Sequence, residues 1–276
     1  MPCSTIGTAQ YFYQISSDQI ALEHPVLVLL HGSGGDNSVW EKQIDGLGRE
    51  VAVIAPDLPG HGQSDGLLCT TIKDYAVWLN NFMQQLQINR VFLAGHSLGG
   101  AIAQEYARRF PQKVQGLILA GSGTQFIVAA DYLETVKNNF SAAVHASCQA
   151  AYAAGNISSL YEKGYGMLSR NGKDALCSDL ALCSAFDSTA WVSSVAVPAL
   201  LVCGSDDKIT PPESSQSLAR LISGAQLKIV AGAGHMVMME AATEFNEAIK
   251  TFIMRTTGIT ESLCDLKQSN KVGQCK

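Results

Sequence analysis

Residues 91–110 read VFLAGHSLGGAIAQEYARRF, and this stretch decides the fold. It opens with an apolar run typical of a strand and closes with a helix pattern. The turn between them, Gly95-His96-Ser97-Leu98-Gly99, has the pattern of a nucleophile elbow. Its glycines allow a turn tight enough to expose the serine hydroxyl, and the helix that follows aims N–H groups at a developing oxyanion. The sequence therefore predicts Ser97 as a nucleophile.

Short apolar runs of the same kind recur along the chain, each bounded by Gly, Pro or Asp. They are VLVLL at 26–30, VAVIA at 51–55, LILA at 117–120, ALLVC at 199–203 and LKIV at 227–230. Such continuous runs are typical of strands that are buried on both faces of a parallel sheet. Helical spacing at 72–86 and 245–253, and Pro212 in the first turn of another helix, place helices between the strands. The predicted fold class is α/β, with a doubly wound, mostly parallel sheet.

The alternation of strands and helices is interrupted at residues 123–190, a segment called the insertion below. It is rich in Ala, Ser, Tyr and Cys, with helical spacing and no strong strand pattern. We expect a helical lid over the carboxyl edge of the sheet, where open α/β sheets bind ligands. The alternative is two or three further helices that flank the sheet. The predicted domains are a core of residues 1–122 and 191–255, the lid at 123–190 and a polar tail at 256–276.

A serine nucleophile needs a base, and the partners of an elbow serine follow it in the order acid, then histidine. Downstream of Ser97 the sequence offers His145 inside the insertion and His235 in a glycine-rich loop after LKIV. His235 is the predicted base. For the acid, Asp206 and Asp207 both follow the run ALLVC, and Asp207 is preferred because the pattern G-x-x-D followed by Pro211 resembles the turn that carries this acid. Asp206 would then brace the loop.

Two backbone N–H groups are required to hold an oxyanion. One comes from the residue after the nucleophile, Leu98, and the other from a loop after an earlier strand. The stretch HGSGG at 31–35 follows VLVLL, and the amide of Ser33 is the predicted second donor. A plain glycine turn is the alternative. A phosphate-binding loop is not indicated, because no Lys-Ser/Thr follows and the nucleotide-binding glycine spacings are not met.

Composition excludes several classes of function. The chain has 276 residues and a net charge of −5 without blocks of like charge, so neither a nucleic-acid surface nor a polybasic membrane patch is indicated. No run is long enough to span a bilayer, and residues 1–20 lack the features of a secretory leader. The 8 cysteines show no metal-ligand spacing. We expect a reduced, cytoplasmic chain with mostly buried thiols, and no metal or cofactor.

Taken together, these motifs resemble the α/β-hydrolase superfamily across residues 20–255. Further stretches that match its pattern are DLPGHGQS at 57–64, Trp40, Phe110-Pro111 and Glu240. The loop at 31–35 lacks the three consecutive glycines after His of many lipases and esterases, which argues against a hormone-sensitive-lipase-like enzyme. Serine at the elbow also departs from haloalkane dehalogenases and epoxide hydrolases, which use aspartate there.

The resemblance implies acyl transfer to water on a small-molecule substrate. Apolar and aromatic residues in the insertion favour a small or medium apolar ester, so carboxylesterase is the leading hypothesis. A carbon–carbon bond hydrolase, a lactonase, a thioesterase and a cofactor-free peroxidase side activity would use the same residues. A ligand-binding receptor or scaffold with this fold is the alternative from another class. The sequence does not fix the oligomeric state.

Overall fold

The computed structural model describes residues 1–16, 25–48 and 51–258. Within them, eight strands form a single sheet. In chain order the strands are β1 Cys3–Ile6, β2 Ala9–Ile15, β3 Val26–Leu30, β4 Ala52–Pro56, β5 Val91–His96, β6 Val114–Ala120, β7 Ala199–Gly204 and β8 Gln226–Val230. Their order across the sheet is β1-β2-β4-β3-β5-β6-β7-β8.

Every neighbouring pair from β4 through β8 in this order is parallel. All six apolar runs found in the sequence lie on these strands, so the predicted mostly parallel sheet is confirmed. Strands β3, β4, β5 and β7 are buried at every residue. Such strands need apolar side chains on both faces, which is why their sequences run without alternation.

The two edges of the sheet differ from the prediction. An antiparallel hairpin, β1 and β2, adds two strands beside β4 that the sequence pattern did not indicate, because Ser, Thr and Gln interrupt its apolar residues and most of its residues are exposed or only partly buried. At the other edge the expectation of burial on both faces is wrong for β8, where Leu227 and Ile229 are 37% and 42% exposed. An edge strand has a neighbour on one side only, so one predicted strand of the core is half open to solvent.

Nine α-helices accompany the sheet in the described part of the chain. They are α1 Glu41–Leu47, α2 Ile72–Gln85, α3 Leu98–Arg109, α4 Ala130–Asn138, α5 Phe140–Ala151, α6 Ile157–Ala185, α7 Pro212–Leu221, α8 Val237–Glu240 and α9 Ala242–Thr257. The buried side of α2 and α3 packs with Val28, Leu30 and Ile54 on one sheet face. The alternate residues Leu27 and Leu29 pack with α9 on the other face. Helices therefore cover both faces of the sheet, as in a doubly wound fold.

The insertion contains α4, α5 and α6, with only an isolated bridge between Gln125 and Asp187 outside these helices. Helix α6 is interrupted at Gly172, whose φ of 85° and ψ of 174° are not helical. Helix α9 extends two residues beyond the predicted boundary at 255. The remainder of the predicted tail, from residue 259, lies outside the described residues.

None of the helices in the described ranges combines the length and the apolar character that crossing a membrane requires. Six cysteines fall within these ranges, and none of the six is bonded to another of them. Cys148, Cys183 and Cys203 are buried, whereas Cys3 is exposed and Cys69 and Cys177 are partly buried.

Candidate active site

Ser97 occupies the turn between β5 and α3, with φ 51° and ψ −115°. A non-glycine residue with this backbone conformation costs of the order of 1–3 kcal/mol, and such strain collects at functional sites. The flanking glycines are sterically required: a Cβ on Gly95 would lie 2.1 Å from the Gly99 carbonyl oxygen, and one on Gly99 would lie 2.3 Å from that of Leu30. The sequence GHSLG thus folds as a strand–turn–helix with the serine at its apex.

Asp207 and His235 lie in the loops after β7 and β8, and the structure brings them into contact. The Nδ1 atom of His235 is 2.8 Å from Oδ2 of Asp207. The other carboxylate oxygen, Oδ1, accepts the N–H groups of Ile209 and Thr210 at 2.9 and 2.8 Å. Because a carboxylate only accepts hydrogen bonds, Nδ1 carries the proton and Nε2 of the neutral ring is left as a proton acceptor.

Asp206, the alternative acid, has a different environment. Its side chain is exposed and accepts the Ser205 hydroxyl at 2.7 Å, while its N–H donates to the Ala233 carbonyl at 2.9 Å. Asp207 is buried beside His235. Of the two adjacent aspartates, only Asp207 has the position that a histidine-orienting acid needs.

Ser33, one predicted oxyanion donor, lies in the loop at 31–35, and Leu98, the other, is the first residue of α3 directly after Ser97. Among the described residues, neither backbone N–H has a hydrogen-bond acceptor. A buried N–H without a partner is uncommon in folded proteins. The Leu98 N–H is buried and the Ser33 N–H belongs to a partly buried residue, and both are available to an oxygen atom of a ligand.

His96, the residue before Ser97, is a site residue to which the sequence analysis assigned no role. Its ring is buried, and Nε2 donates to the backbone carbonyl of His235 at 3.0 Å. Burial, then the nearby His235 ring, lowers the pKa of His96 well below its usual range, so this ring is neutral. A Cβ on Gly32 would lie 2.7 Å from His96 Nδ1, so His96 packs between the loop at 31–35 and the His235 loop.

Glu240 also connects parts of the site. One carboxylate oxygen accepts the Gly234 N–H at 3.0 Å, and the other accepts the Ala153 N–H at 2.8 Å and the Asn156 side-chain amide at 2.9 Å. Glu240 therefore ties the loop of His235 to the insertion. The sequence singled out this glutamate, but two of its partners, Ala153 and Asn156, are 87 and 84 residues away in the chain.

These groups surround a cavity of about 440 Å³ between the sheet edge and the insertion. The side of the cavity that faces the core is lined by Ser33, His96, Ser97 and His235. Most of the other lining residues are apolar and come from the insertion, among them Phe126, Ile127, Val128, Met167, Leu168, Leu176 and Leu180. Lys208 also lines the cavity. Within the described residues, no group of three or more His, Cys, Asp or Glu side chains is placed to hold a metal ion.

A second buried histidine–aspartate pair lies behind the loop at 31–35. His61 Nε2 is 2.9 Å from Oδ2 of Asp179, and His61 Nδ1 is 3.0 Å from the Pro59 carbonyl oxygen. Both ring nitrogens thus face oxygen acceptors, which a doubly protonated ring satisfies. Burial by itself lowers the pKa of His61, but the Asp179 carboxylate and the Pro59 carbonyl more than offset it, and the pKa is raised.

His31 borders this pair, with its ring 5.2 Å from that of His61. Burial, then the charge of His61, lowers the pKa of His31 to about 4. Its Nδ1 donates to the Gly32 carbonyl at 2.9 Å, and its Nε2 accepts the Leu58 N–H at 3.0 Å. His31 is therefore a neutral structural histidine within the loop.

A sequence model described as the alpha/beta hydrolase family matches residues 27–248. The chain belongs to the α/β-hydrolase family. This agrees with the resemblance found in its motifs.

The solved structures and curated relatives that resemble this α/β hydrolase have names from several classes of activity. A thermophilic esterase superposes with a TM-score of 0.82 at 28% identity, covering 92% of this chain and 97% of the esterase. The enol-lactonase from Burkholderia xenovorans LB400 has the same fold, with a TM-score of 0.82 at 22% identity over 92% of this chain and the whole of that chain.

One curated relative is named as a synthase and not as a hydrolase. The 2-succinyl-6-hydroxy-2,4-cyclohexadiene-1-carboxylate synthase of Serratia proteamaculans is 27% identical over 84% of this chain and 94% of its own length. The family and its esterase neighbour support a hydrolase as the class of enzyme and a small molecule as substrate.

Proposed function

We propose that this α/β hydrolase is a serine carboxylesterase that acts on small or medium, largely apolar esters. The observation that carries the proposal is the convergence of three features on one cavity. These are the strained Ser97 at the apex of the elbow, His235 oriented by the buried Asp207, and the unpartnered N–H groups of Ser33 and Leu98. This combination suits acyl transfer.

In the proposed reaction Ser97 Oγ attacks the ester carbonyl carbon while His235 Nε2 takes the hydroxyl proton. The carbonyl oxygen becomes an oxyanion that the Ser33 and Leu98 N–H groups bind, at the positive end of the α3 dipole. His235 then protonates the departing alcohol, and an acyl group remains on Ser97. Asp207 stabilises the imidazolium that forms at each stage.

Water completes the cycle by attacking the acyl-enzyme while His235 again accepts a proton. The carboxylic acid leaves and Ser97 regains its hydrogen. Since His235 carries every proton, the proposed reaction requires no metal or organic cofactor. Ser97 and His235 both line the cavity, and the hydrogen bond between a nucleophile and its base often tightens only when the transition state forms.

The substrate preference follows from the walls of the cavity. Its apolar lining from the insertion favours an acyl or alcohol group without charge, and the volume of about 440 Å³ suits a small ligand. In this proposal the insertion acts as a lid that selects substrates. The esterase with 28% identity supports an ester over the carbon–carbon, lactone and thioester alternatives.

The test is hydrolysis of p-nitrophenyl esters from acetate to decanoate by the wild type and by Ser97→Ala, at neutral pH. Loss of a triad nucleophile lowers kcat by about a million-fold in a comparable serine hydrolase. Ser193→Ala is the matched control, because Ser193 is exposed. We expect the wild type and the control to turn over the shorter esters and Ser97→Ala to be inactive.

Other outcomes redirect or overturn the proposal. A wild type that is inert on every ester but is labelled at Ser97 by a fluorophosphonate would contradict the ester assignment and move the test to lactones, thioesters and ring-cleavage diketones. A protein that neither hydrolyses nor is labelled would favour the ligand-binding alternative. Activity that survives in Ser97→Ala would refute the nucleophile.

A further inference from the structure

The side chain of Asp179 is a fully buried carboxylate in the insertion, away from the proposed catalytic residues. It lies in the second half of α6 and receives three hydrogen bonds from the core of the protein. The Gly34 N–H donates to Oδ2 at 2.8 Å, His61 Nε2 donates to the same atom at 2.9 Å, and the Tyr75 hydroxyl donates to Oδ1 at 3.4 Å. One of these donors, Gly34, is the residue that follows Ser33.

Asn171, in the first half of α6, binds carbonyl groups of the same loop. Its side-chain Nδ2 donates to the carbonyl oxygens of Gly34 and Gly35, each at 3.0 Å. Its Oδ1 accepts the Gly62 N–H at 2.7 Å. The break at Gly172 separates Asn171 from the half of the helix that carries Asp179. Both backbone groups of Gly34 are therefore bound by α6.

Packing restricts Gly34 further. Its φ is +62°, and a Cβ there would lie 2.9 Å from Leu168 Cδ2 and 3.1 Å from Leu176 Cδ1. These two leucines belong to opposite halves of α6. The positive φ favours glycine at this position, and a side chain there would also have to displace the two leucine side chains that α6 packs on the loop.

The fixed segment determines where the Ser33 N–H points. Gly35 N–H donates to the Gly32 carbonyl oxygen at 3.1 Å, and His31 Nδ1 donates to the same oxygen at 2.9 Å. A peptide group is planar, so holding the Gly32 C=O also fixes the direction of the Ser33 N–H in that plane. Gly35 is anchored in turn by Asn171. A continuous set of hydrogen bonds thus joins α6 to the Ser33 N–H.

We propose that Asp179 and Asn171 are positioning residues for the Ser33 N–H, so that the oxyanion site is complete only while α6 is docked on the loop at 31–35. This inference rests on the proposed function for its catalytic consequence. The insertion then does more than shape the substrate cavity. It sets the geometry of a transition-state contact, and displacement of α6 would switch off chemistry even with substrate bound.

Asp179→Asn and Asn171→Ala test the inference, with Asp174→Asn as the matched control. Asp174 is an exposed aspartate in the same helix. Asp179→Asn replaces the charged acceptor of the Gly34 N–H and of the His61 ring with a neutral amide, which weakens both hydrogen bonds even when its NH₂ group turns toward the Tyr75 hydroxyl. Removing one oxyanion donor lowers kcat by about 10²–10³-fold, so displacing one should lower it by roughly 10–100-fold. Since the contact forms only in the transition state, KM should stay within about twofold.

Acyl-chain dependence separates positioning from a purely structural role. If α6 only shapes the cavity, the two variants change KM and alter the preference among esters. If it positions the Ser33 N–H, kcat falls by the same factor for every ester, at temperatures where circular dichroism shows folded protein. Unchanged kcat in a folded Asn171→Ala would overturn the inference even if Asp179→Asn failed to fold.

Hydrogen–deuterium exchange of peptides that cover residues 31–36 provides a readout without substrate. We expect faster exchange in Asp179→Asn and Asn171→Ala than in the wild type and Asp174→Asn. If the wild type cleaves no ester, the proposed function fails, yet the exchange rates still decide whether α6 holds the loop. Exchange that is equal in all four proteins would refute the positioning inference, whatever the ester assay shows.

Discussion

Two buried histidine–aspartate pairs lie in this α/β hydrolase, and they have different surroundings. His235 and Asp207 join through Nδ1 and Oδ2 at 2.8 Å, and the ring lines the cavity beside Ser97. His61 and Asp179 join through Nε2 and Oδ2 at 2.9 Å, behind the loop that carries Ser33. In the first pair Nε2 has no partner among the described residues, whereas in the second both nitrogens face oxygen atoms.

This difference shows what a histidine needs for proton transfer. A ring with one nitrogen oriented by a carboxylate and the other open to a cavity can take up and release a proton. A ring held between a carboxylate and a carbonyl has a raised pKa and no nitrogen open to a reacting group. The same two residue types therefore suit a catalytic base in one place and a structural connection in the other.

The largest expected effect separates the two histidines directly. His235→Ala removes the proposed base and should lower kcat by about a million-fold, as loss of a triad histidine does in a comparable enzyme. His61→Gln should lower kcat by no more than the roughly 10–100-fold expected of Asp179→Asn, because it removes a partner of Asp179 but no proton acceptor from the reacting groups. Steady-state ester hydrolysis by both variants makes the comparison. Equal losses would show that the two pairs do not differ in role.

The two adjacent aspartates offer the next test. Asp207→Asn should lower kcat by about 10⁴-fold, since an amide no longer fixes the correct tautomer of His235. Asp206→Asn is the matched control and should leave kcat within about twofold, because its side chain contacts Ser205 at the surface. A larger loss in Asp206→Asn than in Asp207→Asn would reverse the assignment of the acid.

The dependence of stability on pH reports on the second pair. The pKa of His61 is raised in the folded protein, so its ion pair with Asp179 stabilises the fold. This stabilisation is fully present below about pH 6.5, the pKa of an unfolded histidine, and is lost as pH rises through the folded pKa. Asp179, Tyr75, His31 and Asp57 surround this ring. His61→Gln should lose about 2 kcal/mol at low pH, or about 5 °C in Tm.

Thermal unfolding from about pH 6 to about pH 9 measures this difference, with the exposed His145→Gln as control. The gap in Tm between the wild type and His61→Gln should narrow as pH rises. A gap that widens over this range would mean that His61 is neutral when folded.

The smallest expected effect concerns the loop between the two pairs. Ser33→Ala removes a hydroxyl that only contacts the Cys183 sulfur at 3.5 Å and leaves the backbone N–H in place. A weak hydrogen bond contributes about 1 kcal/mol or less, so kcat should stay within about fivefold of the wild type. A far larger fall in the ester assay would assign the role to the hydroxyl instead of the amide.

Most of the sheet could be predicted because the local sequence carries the information. Strands β3 to β8 are apolar runs, and α2 and α9 have one apolar face each. The hairpin of β1 and β2 could not be read this way, since partly buried edge strands have no continuous apolar run. At the site, GHSLG, Asp207 and His235 lie in loops that directly follow strands, so the sequence positions them at one edge of the sheet.

No local sequence pattern predicts the contacts that Asp179, Asn171 and Glu240 make. His61 and Asp179 are 118 residues apart, and neither belongs to a motif that names the other. Asn171 and Asp179 lie in an ordinary helical stretch, where polar side chains usually face solvent. Only the packing of the insertion on the core turns them toward the loop at 31–35.

By itself, the sequence determined the α/β fold, the predicted elbow at Ser97 and the preference for Asp207 over Asp206, because short-range periodicity and turn chemistry are local properties. The tertiary structure alone decided which histidine pairs with Asp179, which residues of the insertion meet Glu240, and which of them bind the loop at 31–35. Those choices depend on distances between segments far apart in the chain, and they are fixed only when burial forces each polar group to find a partner.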